Sequence, residues 1–255
     1  MAEITWWGHA TVTVADSGIR ILTDPVLTGT VGHLRRRRGP APTAAAVDAD
    51  LVVISHLHGV HLHVRSLRKI SHRVPIVLPR GALRAVRALR LLRSFDLVEI
   101  SAGECVQVGA VRVRAVPALH DSRRHDLARL GSASPLGYVV EGAQRTYFAG
   151  DTGLYPEMAQ EVGRCDVALL PVGGWGPGLG PHHLNSRTAA DALHRLGAAD
   201  AVPIHFGTLW PVGLDRVRPD EFHRPGANFV ASTARSTPQA RVHLLAPGQT
   251  WRSPS

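Results

Sequence analysis

The chain has 255 residues, 44% of them hydrophobic and 5% aromatic, with a formal net charge of +9. That length and apolar content suit an α/β domain able to bury its own core without disulfides or a structural metal. Two cysteines, Cys105 and Cys165, lie far apart and read as reduced thiols, and no apolar run approaches the roughly 20 residues of a membrane span.

In chain order, the start runs directly into structure at Ile4-Thr5-Trp6-Trp7, with no charged segment leading into an apolar one, so a reducing cytoplasm is expected. Short apolar or alternating runs predict strands over 11–14, 19–22, 51–54, 76–78 and 97–100. Further strands are predicted over 106–108, 111–116, 138–140, 146–149, 167–170, 201–204 and 242–245. Gly109-Ala110 and Glu141-Gly142 predict hairpin turns. A helix is predicted over 81–93, with Leu83, Val86, Leu89 and Leu92 inward and an arginine stripe outward. Asn185-Ser186 caps a second helix stopped by Gly197, and a third is predicted over 221–234. Mixed sheets covered by helices follow, and no linker divides residues 1–255, so one domain is expected.

All but one of the 29 basic residues are arginine, which has two readings. It reflects the codon bias of a GC-rich genome, or it builds a field that draws in anionic substrates such as phosphate esters or nucleic acid. The run Arg35-Arg36-Arg37-Arg38 before Gly39-Pro40 is expected in an exposed loop.

Four of the 15 histidines fall within residues 56–63. Such a cluster of imidazoles needs an organiser, and metal binding is the usual one. His56 and His58 follow the predicted strand 51–54, and residues two apart in extended chain point the same way. His61 comes too late to share that geometry and would face a second ion. His120, Asp151 and His205 each end another predicted strand, so all would open onto one edge of the sheets.

These motifs together resemble the metallo-β-lactamase superfamily, in the branch of ascorbate-6-phosphate lactonases and phospholipase D-type enzymes acting on N-acyl phosphatidylethanolamines. The resemblance rests on Trp7-Gly8-His9-Ala10-Thr11-Val12, Thr23-Asp24-Pro25, Ser55-His56-Leu57-His58 and Pro117-Ala118-Leu119-His120-Asp121-Ser122-Arg123. It continues through Phe148-Ala149-Gly150-Asp151-Thr152-Gly153, Leu170-Pro171-Val172-Gly173-Gly174 and Ile204-His205-Phe206-Gly207-Thr208. It implies an α+β fold, an αβ/βα four-layer sandwich of two mixed sheets. It also implies His56, His58 and His120 on a first metal, Asp151 bridging, and His61 and His205 on a second. His183 would lie near the active centre, stabilising an oxyanion or protonating a leaving group.

The chain departs from the family's His-x-His-x-Asp-His pattern at Val60, whose side chain has no donor or acceptor. Three readings stay open: the second site survives on His61, Asp151 and His205; His63 swings in; or the site is weak or empty. The expected activity is metal-dependent hydrolysis of a small, anionic ester, lactone or phosphodiester, with one or two Zn2+ ions or Mn2+ or Fe2+ in their place. Arg123, with Arg124 beside it, and Trp175 are substrate-binding candidates. The rival is a catalytically silent member that binds metal, a small ligand or nucleic acid.

Overall fold

In the computed structural model, which describes residues 1–121, 133–176, 178–180 and 182–254, the apolar runs become strands whose alternation sets the layers. The first half gives β1 (Glu3–Gly8), β2 (Thr11–Asp16), β3 (Ile19–Thr23), β4 (Thr30–Val31), β5 (Leu34–Arg36), β6 (Leu51–Val53), β7 (Ile76–Pro79) and β8 (Leu97–Ile100). The second half gives β9 (Cys105–Val108), β10 (Val111–Pro117), β11 (Leu136–Glu141), β12 (Arg145–Phe148) and β13 (Val167–Pro171). Then come β14 (Asp200–Ile204), β15 (Leu209–Pro211), β16 (Arg241–Val242) and β17 (Gln249–Arg252).

One sheet runs antiparallel through β17, β1, β2 and β3, then parallel through β6, β7 and β8. The other repeats the plan, antiparallel from β9 to β12 and parallel through β13, β14 and β16. In β6, Leu51 and Val53 join Val113, Tyr138 and Phe148 of the second sheet, whereas Val52 packs with Leu67, Ala85 and Leu89 behind. β7 divides the same way, Val77 inward and Ile76 and Leu78 outward. Each such side chain contributes about 1.5–3 kcal/mol when fully buried, so a one-residue slip of register would be costly. Helix Ser186–Leu196 packs Ala189, Leu193 and Leu196 into the same core as the second sheet. The order is helix, sheet, sheet, helix, the αβ/βα sandwich.

The hairpin at 109–110 forms as expected, with Val108 opposite Val111. So does the cap of the helix at 186: the Asn185 side chain accepts from Arg187 N at 2.9 Å and Thr188 N at 3.0 Å. Gly197 ends that helix in the left-handed region, at φ 63°.

Three elements differ from expectation. The helix over 81–93 is an α-turn, Ala82–Ala85, broken at Val86 and continued as a 3₁₀ helix, Arg87–Leu92. Val86, Leu89 and Leu92 are buried and spaced three apart, which is the 3₁₀ period, and Leu83 is left exposed. The helix over 221–234 becomes Pro219–His223 and Pro225–Ser236, because Pro225 cannot donate within a continuous helix and instead starts a new one. The strand over 242–245 shrinks to the two residues of β16.

The arginine run is exposed at Arg35 and Arg37, as expected, but only Arg37 and Arg38 lie in a loop. Arg35 and Arg36 lie in β5, which pairs with β15 in a small third sheet completed by β4. Arg36 donates to the Trp7 carbonyl at 2.9 Å, Arg37 forks onto Asp215 at 3.0 and 3.1 Å, and Arg38 lies 5.2 Å from the Phe222 ring centre. Local acceptors take up the charge that the sequence suggested for a polyanion.

Candidate metal centre

β6 hands the chain to Ser55-His56-Leu57-His58, where backbone turns back through His61 N donating to His58 O at 2.9 Å. From the second sheet come His120 after β10, Asp151 after β12 and His205 after β14. The two sheets can meet here because residue 150 has no side chain. Gly150 has φ 61°, and a Cβ on it would lie 2.6 Å from Ser55 Cβ.

Six expected residues are brought together. His58 Nδ1 lies 3.0 Å from His56 Nε2 and 3.2 Å from His120 Nε2. Asp151 sets one oxygen 3.2 Å from His61 Nε2 and the other 3.2 Å from His205 Nε2, and it is 3.8 Å from His56 Nε2. His61 and His205 approach Nε2 to Nε2 at 3.1 Å. His183 joins as a seventh, its Nε2 3.7 Å from Asp151.

The opposite ring nitrogens settle where the protons are. His205 Nδ1 donates to the Gly173 carbonyl at 2.8 Å, and His120 Nδ1 to the His182 carbonyl at 3.2 Å. His61 Nδ1 donates to Asp24 at 2.7 Å. Ser55 Oγ gives its proton to Asp24 at 2.5 Å and so accepts from His56 Nδ1 at 2.9 Å. Each of these four imidazoles, when neutral, therefore points a lone pair inward. Lone pairs about 3 Å apart repel unless a cation lies between them. Two nitrogens on one tetrahedral zinc would sit about 3.3–3.4 Å apart, since each Zn–N bond is about 2.0–2.1 Å. The donor set fits such an ion.

The electrostatics divide the imidazoles: burial favours neutral rings at His205 and His56, whereas two carboxylates favour a proton on His61. Burial opposes charge on His61, but the Asp151 and Asp24 carboxylates outweigh it and push its pKa up to about 10. Burial drives His205 down to about 4, with Asp151 only partly offsetting it, and drives His56 well below its ordinary value. Burial works against the Asp151 carboxylate, yet His205 and His61 hold its pKa well below the usual range.

Of the remaining expectations, Arg123 and Arg124 lie outside the described residues. Trp175, 38% exposed, stands edge-on to His33 at 5.6 Å, on the loop whose Gly173 carbonyl holds His205. His63 does not swing in: its Nδ1 is 2.7 Å from Ser66 Oγ at the start of helix Val64–Leu67. Val60 packs in an apolar cluster with Val26, Leu34 and Leu209.

Two residues were quoted in motifs but given no role. Asp24, fully buried, takes hydrogen bonds from Ser55 N, Ser55 Oγ and His61, and so fixes the orientation of the His61 ring. It follows β3 as His120 follows β10, so the strand-end criterion would have found it. His9, 1% exposed, lies with its ring centre 3.9 Å from that of His205. Burial, with His205 and His61 beside it, keeps its pKa well below the ordinary value.

A four-layer sandwich that gathers imidazoles and one carboxylate at the open edge of its sheets has the architecture of metal-dependent hydrolases. Residues 19–206 match the beta-lactamase superfamily domain. The chain is 33% identical to a UPF0173 metal-dependent hydrolase of Methanopyrus kandleri, over 87% of this chain and 90% of that protein. It is 29% identical to N-acyl-phosphatidylethanolamine-hydrolyzing phospholipase D 1 of Caenorhabditis elegans, over 82% of this chain and 64% of that protein. Among solved structures, the metallo hydrolase Igni18 of Ignicoccus hospitalis superposes with a TM-score of 0.71 at 22% identity, covering 99% of both chains. The chain belongs to the metallo-β-lactamase superfamily, among its metal-dependent hydrolases. No helix among the described residues is long and apolar enough to cross a membrane.

Proposed function

We propose that the chain hydrolyses a small anionic ester, lactone or phosphodiester. His56, His58 and His120 would hold one transition-metal ion, with Asp151 between it and a second ion on His61 and His205. The observation that supports this reading is the approach of ring nitrogens of His56, His58, His120, His61 and His205 to 3.0–3.2 Å of a neighbour, with His56, His61 and His205 against one buried carboxylate. Imidazole-rich donors suit zinc better than Mn2+, which favours carboxylate and water. Such an ion supplies hydroxide at neutral pH, because it lowers the pKa of water to about 7, and it polarises the scissile bond.

The protein's own groups do the rest. Asp24 and the Gly173 and His182 carbonyls fix which ring nitrogen is free on His61, His205 and His120. His183, like His58 and His120, is partly exposed, with 23% of its side chain open to solvent. Burial disfavours its proton, but the Asp151 carboxylate 3.7 Å away raises its pKa, so His183 Nε2 can carry a proton to a leaving group. Arg123 is retained as a binding candidate for the substrate's anionic group, and Trp175 as a pocket wall. Val60 favours a second reading, a member that binds metal or ligand without turnover.

The test is to strip the protein with a chelator and restore Zn2+, Mn2+ or Fe2+ separately. Turnover would be followed on a lactone, an aryl ester and a phosphodiester. Activity that falls on stripping and returns best with Zn2+ is expected. Metal bound without turnover of any of the three would favour the second reading. Purified protein that carries and takes up no transition metal would overturn the hydrolase reading and leave the second only as a ligand-binding member without metal.

A further inference from the structure

Val60 leaves the second ion one protein donor short of the family pattern, and its side chain is committed to the apolar cluster with Val26, Leu34 and Leu209. Resting on the metal-centre reading above, we propose that His9 takes over: its imidazole completes the second ion's ligand set with His61, His205 and Asp151.

Three independent observations carry this. First, His9 is 1% exposed, and neither ring nitrogen has a hydrogen-bond partner among the described residues. A buried imidazole with both nitrogens unpaired is costly, because each group loses its water without gaining a partner. The other imidazoles with inward lone pairs all anchor the opposite nitrogen. Second, one ligand nitrogen from each of His9, His61 and His205 falls within a 4.8 Å sphere of mutual distances. His61 and His205 are the two histidines already assigned to that ion.

Third, the backbone is bent to place it there. His9 has φ 53° and follows Gly8 at φ 109°. A Cβ at Gly8 would lie 2.6 Å from Thr208 Cγ2, so only glycine lets β1 approach the loop after His205 this closely. The His9 carbonyl accepts from His205 N at 2.8 Å and from Trp6 Nε1 at 2.9 Å, while its N–H donates to Thr208 Oγ1 at 3.2 Å. Only four non-glycine residues among those described have positive φ: His9, Ser17, Asp24 and His205. Apart from Ser17, which lies in the β2–β3 turn, they are two proposed ligands and the carboxylate that orients a third. Left-handed backbone at non-glycine residues is strained and concentrates where a ligand must be aimed.

The exchange has a chemical consequence. A neutral imidazole in place of a carboxylate leaves the loaded centre one unit more positive and richer in nitrogen. That favours zinc over Mn2+ at the second position and an anionic over a neutral substrate.

The test measures metal, with no dependence on turnover. The metal-free full-length chain is titrated with Zn2+, and bound zinc and the mean number of imidazoles per zinc are read by elemental analysis and X-ray absorption. Wild type should bind two zinc ions. His9→Asn, chosen because asparagine tolerates left-handed backbone, should keep the first ion and hold the second at least 10-fold more weakly. His9→Phe, which keeps a ring in the cavity, should do the same. In the double variant His9→Asn/Val60→Asp, the carboxylate should recover part of the lost affinity. Two ions held as tightly in both single variants as in wild type would overturn the proposal and leave the metal-centre reading standing. A wild type that binds one ion, unaffected by either substitution, would overturn it too. A wild type that binds none would bring down the underlying reading itself.

Discussion

β14 begins at Asp200 and ends against His205, and its two ends are buried alike, at 5% and 1% exposure. At the first end the charge is answered within the chain. The Asp200 carboxylate is forked by Arg241 at 2.7 and 2.8 Å and contacted by His243 Nε2 at 2.7 Å. At the other end His205 Nε2 faces His61 Nε2 at 3.1 Å and Asp151 at 3.2 Å, with no arginine or lysine side chain in hydrogen-bonding reach of that carboxylate among the described residues. The same strand is thus self-sufficient at one end and incomplete at the other. On the proposed reading a metal ion answers the second end, and that is how a binding edge differs physically from a structural one.

Removing the metal should break this contrast most strongly. If each ion binds only the folded chain, it stabilises it by about 2.7 kcal/mol at a free concentration 100-fold above its dissociation constant. Chelation should then lower the thermal midpoint by roughly 5–10 °C for each ion removed from a chain of this size. Asp200→Asn protein should show the same drop, because its change lies at the far end of the strand. A midpoint indifferent to chelator in both proteins would mean the histidine end is as self-sufficient as the other. Asp151→Asn should approach the chelated state without chelator, since both ions lose their shared carboxylate.

Asp24→Asn is expected next in size. It leaves every inward nitrogen in place but weakens the acceptor that orients His61, a change that costs about 10–100-fold in metal affinity for partners of this kind. The loss should fall on the second ion and spare the one on His56, His58 and His120. Calorimetric titration with Zn2+ would separate the two, and an equal loss at both would assign Asp24 to the whole centre.

The sequence exposed the two ends unequally. Strand positions followed from short apolar or alternating runs, and Leu51, Val52 and Val53 are apolar throughout because each has a buried face to fill. His56 and His58 were legible from spacing, and His120, Asp151 and His205 from their places after strands. Asp24 satisfied the same rule, but an aspartate before Pro25 also reads as an ordinary turn residue. His9 could not be read that way. Its position depends on left-handed backbone and on Thr208, 199 residues away, neither of which leaves a periodic trace. The arginine run misled in part for a related reason: a charge run looks solvated until the acceptors that fold beside it, Trp7 O and Asp215, are known.

The smallest effect tests the self-sufficient end alone. Burial raises the Asp200 pKa, but hydrogen bonds from Arg241 and His243 outweigh it and hold it below its ordinary value. A carboxyl whose folded pKa is depressed contributes stability above its unfolded pKa, about 3.9, and loses it as pH falls through the folded value. Arg241 is more than half exposed, so solvent screening limits the effect of the pair on the thermal midpoint to no more than roughly 4 °C. Asp200→Asn should therefore melt lower than wild type by up to that amount at pH 5–8, and the gap should close as pH drops below about 4. Metal affinity should not change. A gap that persists undiminished at pH 2.5 would show that Asp200 holds the start of β14 by shape and neutral hydrogen bonds, with its charge contributing nothing.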